Sequence, residues 1–267
     1  MVQRPGRQHA FSCTTDPVNT RNLTPASSPD DWFHQLASQC VLAKDEARKL
    51  DDQGFVVIEG PVPTAKLAEL QLAYDIAMRA ATAPDKAAGR TTTRVHDFVN
   101  RGAAFDELYV YPPVLAAACR TIRQPFKLSN LLGRTLHPHS GPQQLHVDFA
   151  HDQLGWPMLG FIVMIDEFRQ ENGATLFAPG SHTAHCSKPA ASFRLSDVVA
   201  ACGPAGSVIV YNGSVVHGHG PNQTDAPRRS IQGAYIRREA QGFELASRML
   251  PDTRNRIGPL AHCLIGL

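Results

Sequence analysis

From residue 126 onward the chain reads as a series of short β-type runs: FKLSNLLGRTL (126–136), QLHVDF (144–149), MLGFIVMIDE (158–167), TLFAP (175–179), SVIVYN (207–212), VVHGHG (215–220) and RSIQGAYIRR (229–238). Gly, Pro, Asn and Asp separate them. Many short strands with turn signals between them predict a sandwich or barrel. The upstream half reads differently. A helical pattern runs from Trp32 to about Asp52, with Gly54 as its stop, and Phe55–Ile58 follows as a strand. Pro63-Thr64 opens a second helix, in which Leu67, Leu70, Ala73, Tyr74 and Met78 fall near helical spacing. Residues 84–104 read as a long loop, a length often reserved for lids. A third helix spans Asp106 to Ile122, interrupted at Pro112-Pro113. Helices first and strands later argue against a parallel βαβ sheet. The expected class is mainly β, with N-terminal helices packed outside.

Composition limits the functions available. The chain has 267 residues, 43% of them hydrophobic and 19% charged, with a net charge of +2. That balance is ordinary for a globular protein and too mild to argue for nucleic acid or an anionic membrane. No apolar run approaches a membrane span, and MVQRPGRQHAFSCTT at the start lacks an apolar stretch of signal-peptide length. A cytoplasmic protein is expected. Residues 1–30 are polar and aperiodic and predict a disordered tail, leaving 31–267 as one domain. Cys13, Cys40, Cys119, Cys186, Cys202 and Cys263 show no CxxC spacing and read as reduced, mostly structural thiols.

The chemistry centres on His146-Val147-Asp148. In a strand, residues two apart share a face, so an imidazole and a carboxylate would converge on one point. With one more imidazole they make the facial triad of non-haem iron(II) enzymes, which leaves three metal positions open. The tripeptide alone is weak, because chance supplies about 0.7 such pairs in this composition. Its weight comes from VVHGHGPNQTDAPRRSI (215–231) downstream. His217 is the candidate third ligand. Arg228 follows eleven residues later, and Ser230 shares its strand face. A guanidinium fork beside a hydroxyl suits a carboxylate.

H-x-D, a distal His and R-x-S beyond it resemble the 2-oxoglutarate oxygenases. Glu171–Thr175 followed by Pro179-Gly180-Ser181-His182, and His217-Gly218-His219-Gly220-Pro221-Asn222, resemble segments of the phytanoyl-CoA dioxygenase family within them. The resemblance covers about residues 45–240. It implies a double-stranded β-helix, a jelly-roll or cupin-like core with the metal inside its open end. It also implies Fe(II) held by His146, Asp148 and His217, with 2-oxoglutarate chelating the iron and its far carboxylate on Arg228 and Ser230. O2 would then be used to oxidise, most simply hydroxylate, a small-molecule substrate, with succinate and CO2 released. Val147 stands where the family often has Gln, and Leu145 where Trp is common; neither removes a ligand. Related halogenases lack the carboxylate, so Asp148 points away from halogenation.

His219 rivals His217, and the eleven-residue step to Arg228 favours His217. His151, Asp152 and Trp156 are either pocket or rim residues. His137 and His139 flank a proline and fit a turn equally well. His182 is expected to fix the turn it closes, and Asn172-Gly173 to form a turn. Arg94, His96, Asn100 and Arg101 are either substrate contacts or solvated loop residues. Gln143 and Gln144 adjoin the first ligand without an assigned role. Two other functions stay open at this point: a cupin-like metal enzyme without 2-oxoglutarate, and a non-catalytic jelly-roll binding module. The sequence leaves oligomeric state undetermined.

Overall fold

The computed structural model describes residue 20 and residues 23–183, 188–241 and 244–267. Most of the expected N-terminal tail, together with Cys13 and Cys186, lies outside them. In chain order the main elements are α1 (Pro29–Gln39), α2 (Lys44–Gln53), β1 (Phe55–Ile58), α3 (Leu67–Ala80), β2 (Lys86–Ala88), β3 (Thr92–Val95), α4 (Pro112–Ile122) and β4 (Phe126–Leu136). Then come β5 (Met158–Met164), β6 (Thr175–Phe177), β7 (Val199–Ala201), β8 (Val208–Asn212), β9 (His217–His219), β10 (Arg228–Arg237), α5 (Pro251–Arg256) and α6 (Pro259–Ile265).

Local chemistry sets the helix ends. Ser28 accepts a hydrogen bond from the Asp31 amide at 3.1 Å, and Pro29 takes the first turn of α1. The single helix expected over 32–52 is two helices, because the chain is extended at Cys40 and Ala43 between them. Gly54 closes α2 at φ +85°, a left-handed conformation that glycine adopts at little cost. Pro112-Pro113 opens α4 instead of interrupting a longer helix, since proline lacks only a donor that the first turn leaves free.

Seven strands form one antiparallel sheet in the order β1-β8-β5-β10-β4-β3-β2, and β7-β6-β9 form a second. The loop expected over 84–104 is corrected here. Its first half is the β2–β3 hairpin, which extends the large sheet beside β4. Its strands, KAA and TTRV, are too short and too poor in large apolar residues to show a period.

Alternation along the large sheet separates two cores. Leu159, Phe161 and Val163 of β5, with Val208 and Val210 of β8, point outward into a cluster shared with α1, α3, α4 and α6. Met158, Ile162 and Met164, with Ile209 and Tyr211, point inward against Phe177 and Ala201 of the small sheet. Phe55 and Phe177 stack across the gap at 4.4 Å. Each fully buried Phe or Leu contributes roughly 1.5–3 kcal/mol. This is a jelly-roll core of two facing sheets with helices outside. No described helix is long and apolar enough to cross a membrane.

His182 ties this core to the N-terminal region. Its Nε2 lies 3.0 Å from the Asp51 carbonyl oxygen, and a side chain at Gly54 would collide with its Nδ1. Burial holds its pKa below the ordinary 6.5, so the unfolded chain takes up this proton at a higher pH than the folded one. The stability contributed by neutral His182 is therefore present above pH 6.5 and is lost as the pH falls through the lower folded value. His182→Gln is expected to flatten the fall of the urea-unfolding midpoint between pH 7 and pH 5.

Candidate metal centre

His217 is placed by β9, an edge strand of the small sheet. The segment before His146 runs beside it: Gln143 N donates to His219 O at 2.9 Å, and His146 and His217 exchange backbone hydrogen bonds of 2.9 and 2.8 Å. That bridge sets the two imidazoles side by side, with ring centroids 4.5 Å apart. The expected QLHVDF strand reduces to this single bridge. Past it the chain bends, and the amides of Asp148 and Phe149 both donate to Gly213 O, at 3.0 and 3.1 Å. Asp148 thus reaches the site by a turn onto the β8–β9 loop, not by strand alternation.

The three side chains meet. Their ligand atoms lie within 4.8 Å of one another, and among the described residues this is the group of His, Cys, Asp or Glu that could hold a metal. His146 Nε2 is 3.6 Å from Asp148 Oδ1, and His217 Nε2 is 3.6 Å from Asp148 Oδ2. Each imidazole uses its other nitrogen on a carbonyl oxygen: His146 Nδ1 on Gln144 O and His217 Nδ1 on Val215 O, both at 3.0 Å. An Nδ1–H held this way leaves the Nε2 lone pair facing the centre. Burial lowers the His217 pKa, which favours the neutral ligand form. Two imidazole nitrogens and one carboxylate oxygen on one side fit iron(II).

A cavity of about 410 Å³ opens from these ligands, and Arg228 lines it. Arg228 is 1% exposed, yet its Nε and Nη1 have no hydrogen-bond partner among the described residues, and its guanidinium lies 3.9 Å over the Phe168 ring. Burial, with repulsion from Arg134, pushes its pKa down to about 9. An unpaired buried cation costs several kcal/mol unless an anion meets it. Its neighbour Arg229 is the contrast: it pairs with Asp166 at 2.7 Å and Asp75 at 2.9 Å on the outer face. Arg94 and Arg134 are register partners on β3 and β4 and line the same cavity, where Asp148 is the one carboxylate among the described residues. Three cations and a metal site around one carboxylate suit a dianion, and 2-oxoglutarate fits that requirement.

The sequence pattern of phytanoyl-CoA dioxygenases (PhyH) matches residues 50–230. The chain belongs to the phytanoyl-CoA dioxygenase family. It is thereby a non-haem iron, 2-oxoglutarate-dependent dioxygenase, the class that the motif order implied. Dioxygenase trt7 of Aspergillus terreus is 26% identical over 85% of this chain and 84% of its own length. Dioxygenase cdmD of Talaromyces verruculosus is 32% identical over 41% of this chain and 36% of its own. Among solved structures, the α-ketoglutarate-dependent carbocyclase SnoK from nogalamycin biosynthesis superposes with a TM-score of 0.62 at 19% identity, over 79% of this chain and 92% of that one. The epimerase SnoN, solved with Fe3+, α-ketoglutarate and nogalamycin RO, gives 0.61 at 22% identity, over 78% and 90%. These two likenesses show the shared fold.

The remaining candidates of this family member fall into two groups. Arg94, His96 and Gln143 line the cavity. So does His219, whose Nδ1 lies 2.8 Å from Gly220 O and whose pKa is lowered to about 4 by burial and by the arginines around it. Ser230 is fully buried on the Arg228 face, and its hydroxyl donates to Arg134 O at 3.3 Å. The others are structural. Asn100 and Arg101 tie down loops through Arg248 O and His96 O. His137 meets Thr93, His139 meets Asp225, and Asn172 closes its turn onto Arg169 and Glu167. His151 packs edge-on against Trp156, and Asp152 pairs with Arg237. Sequence reading missed Arg134 and Tyr211. The Tyr211 hydroxyl donates to Asp148 Oδ2 at 2.9 Å.

Proposed function

We propose that this dioxygenase hydroxylates a small molecule at a C–H bond presented to the cavity, with residues 31–267 acting as one catalytic unit. The observation that carries the reading is the unpaired, buried Arg228 guanidinium in the same cavity as His146, Asp148 and His217. Iron(II), 2-oxoglutarate and O2 together supply a strong oxidant at such a site, with succinate and CO2 as coproducts. His146 and His217 would hold the metal through Nε2, and Asp148 through one carboxylate oxygen. Arg228 would take the distal carboxylate of 2-oxoglutarate, with Ser230 beside it. Phe149, Met158 and Ile162 give the cavity an apolar wall that limits water near the reacting atoms.

SnoK and SnoN are named as a carbocyclase and an epimerase, so the outcome on substrate is not set by the fold. Arg228 also weighs against a cupin-like enzyme without 2-oxoglutarate, which has no use for a buried unpaired cation. The test is succinate release under air across a panel of small molecules. Release that requires both iron(II) and 2-oxoglutarate, with product heavier by one oxygen from 18O2, supports hydroxylation. A product that gains no oxygen while succinate forms overturns hydroxylation.

A further inference from the structure

The inward face of β8 carries one polar aromatic residue, Tyr211, and its surroundings are shaped around it. Tyr211 pairs in register with Gly160 of β5, and Gly160 pairs with Ala234 of β10. A Cβ at Gly160 would lie 2.1 Å from Tyr211 Cζ and 2.5 Å from its hydroxyl. Glycine therefore leaves the slot in which the phenol crosses β5. On its other side the ring meets Phe177 at 5.5 Å and His217 at 4.9 Å between centroids. The hydroxyl reaches Asp148 Oδ2 at 2.9 Å, the same oxygen that His217 Nε2 approaches at 3.6 Å.

We infer that Tyr211 is a positioning residue that assigns the two oxygens of Asp148 different tasks: Oδ2 accepts the phenol hydrogen bond, and Oδ1 is left for the metal. A carboxylate free to rotate can offer both oxygens and occupy two metal positions. Holding one oxygen keeps the ligand single-toothed and leaves those positions to the cosubstrates. The inference rests on the proposed role of Asp148 as a metal ligand. Partners of this outer kind, when removed, lower metal affinity roughly 10–100-fold.

The probe is cobalt(II), titrated into metal-free protein under nitrogen and followed by its visible absorption. Tyr211→Phe keeps the ring and its packing and removes one hydroxyl. It is expected to melt within a few degrees of wild type, to bind cobalt(II) about 10–100-fold more weakly, and to show a shifted band. Gly160→Ala is the second variant: it keeps the hydroxyl, pushes the ring from its slot, and is expected to shift the band the same way. Phe177→Leu disturbs the stack on His217 but spares the hydroxyl, so it is expected to leave the band in place. Unchanged affinity and an unshifted band in Tyr211→Phe overturn the inference. If wild-type protein takes up no cobalt(II), the metal site itself fails, and the inference fails with it.

Discussion

His146→Ala is expected to give a folded protein that has lost iron(II) binding and all turnover above background. The side chain is 36% exposed and packs against one other ring, His217, so its removal opens no large cavity. Circular dichroism and the melting temperature should stay close to wild type. Asp148 and His217 alone would leave the metal with two protein ligands in place of the proposed three. Loss of an outer partner already costs roughly 10–100-fold in affinity or activity, so loss of a direct ligand is expected to cost more than that. Metal analysis after desalting and succinate release check both parts. A variant that keeps stoichiometric iron and full turnover removes His146 from the site.

Arg228→Ala has two effects of opposite sign. In the protein without ligand, Arg228 is a cation with its Nε and Nη1 unpaired and its pKa forced down by burial. Removing an uncompensated buried charge relieves a desolvation cost, which offsets much of the packing lost against Phe168. The melting temperature without ligand is therefore expected to hold or rise slightly. With 2-oxoglutarate the sign reverses. Loss of one partner of a buried charge pair costs about 2–5 kcal/mol, so the cosubstrate should bind about 100-fold or more weakly. Its stabilising shift in the melting curve should vanish at concentrations that saturate wild type. Iron(II) binding should be nearly unchanged. Differential scanning fluorimetry with and without 2-oxoglutarate reads both effects, and an undiminished shift would place the anchor elsewhere.

The candidate site residues were legible because motif order and spacing are properties of the chain. H-x-D, the distal His and the arginine eleven positions on mark the positions that the fold brings to one cavity. The strand-rich half was legible because β5, β8 and β10 are long enough to show alternation or continuous burial. What stayed hidden depends on neighbours distant in sequence. The β2–β3 hairpin gains its order by adding to the edge of β4, and its Ala, Gly and Thr residues announce nothing. The geometry of Asp148 comes from a turn onto Gly213, not from the strand that its spacing suggested. Arg134 and Tyr211 each read as one residue of a β-type run. Their place in the cavity follows from register with Arg94 and Gly160, which no single sequence discloses.

The most direct test of the central claim is an anaerobic titration of metal-free protein with iron(II) and then 2-oxoglutarate, followed by visible absorption. A weak charge-transfer band that appears only with both, and saturates at one equivalent of iron, is the expected result. Iron(II) binding with no band on addition of 2-oxoglutarate would contradict the account, because the keto acid would then not chelate the metal at the proposed His146, Asp148 and His217 site.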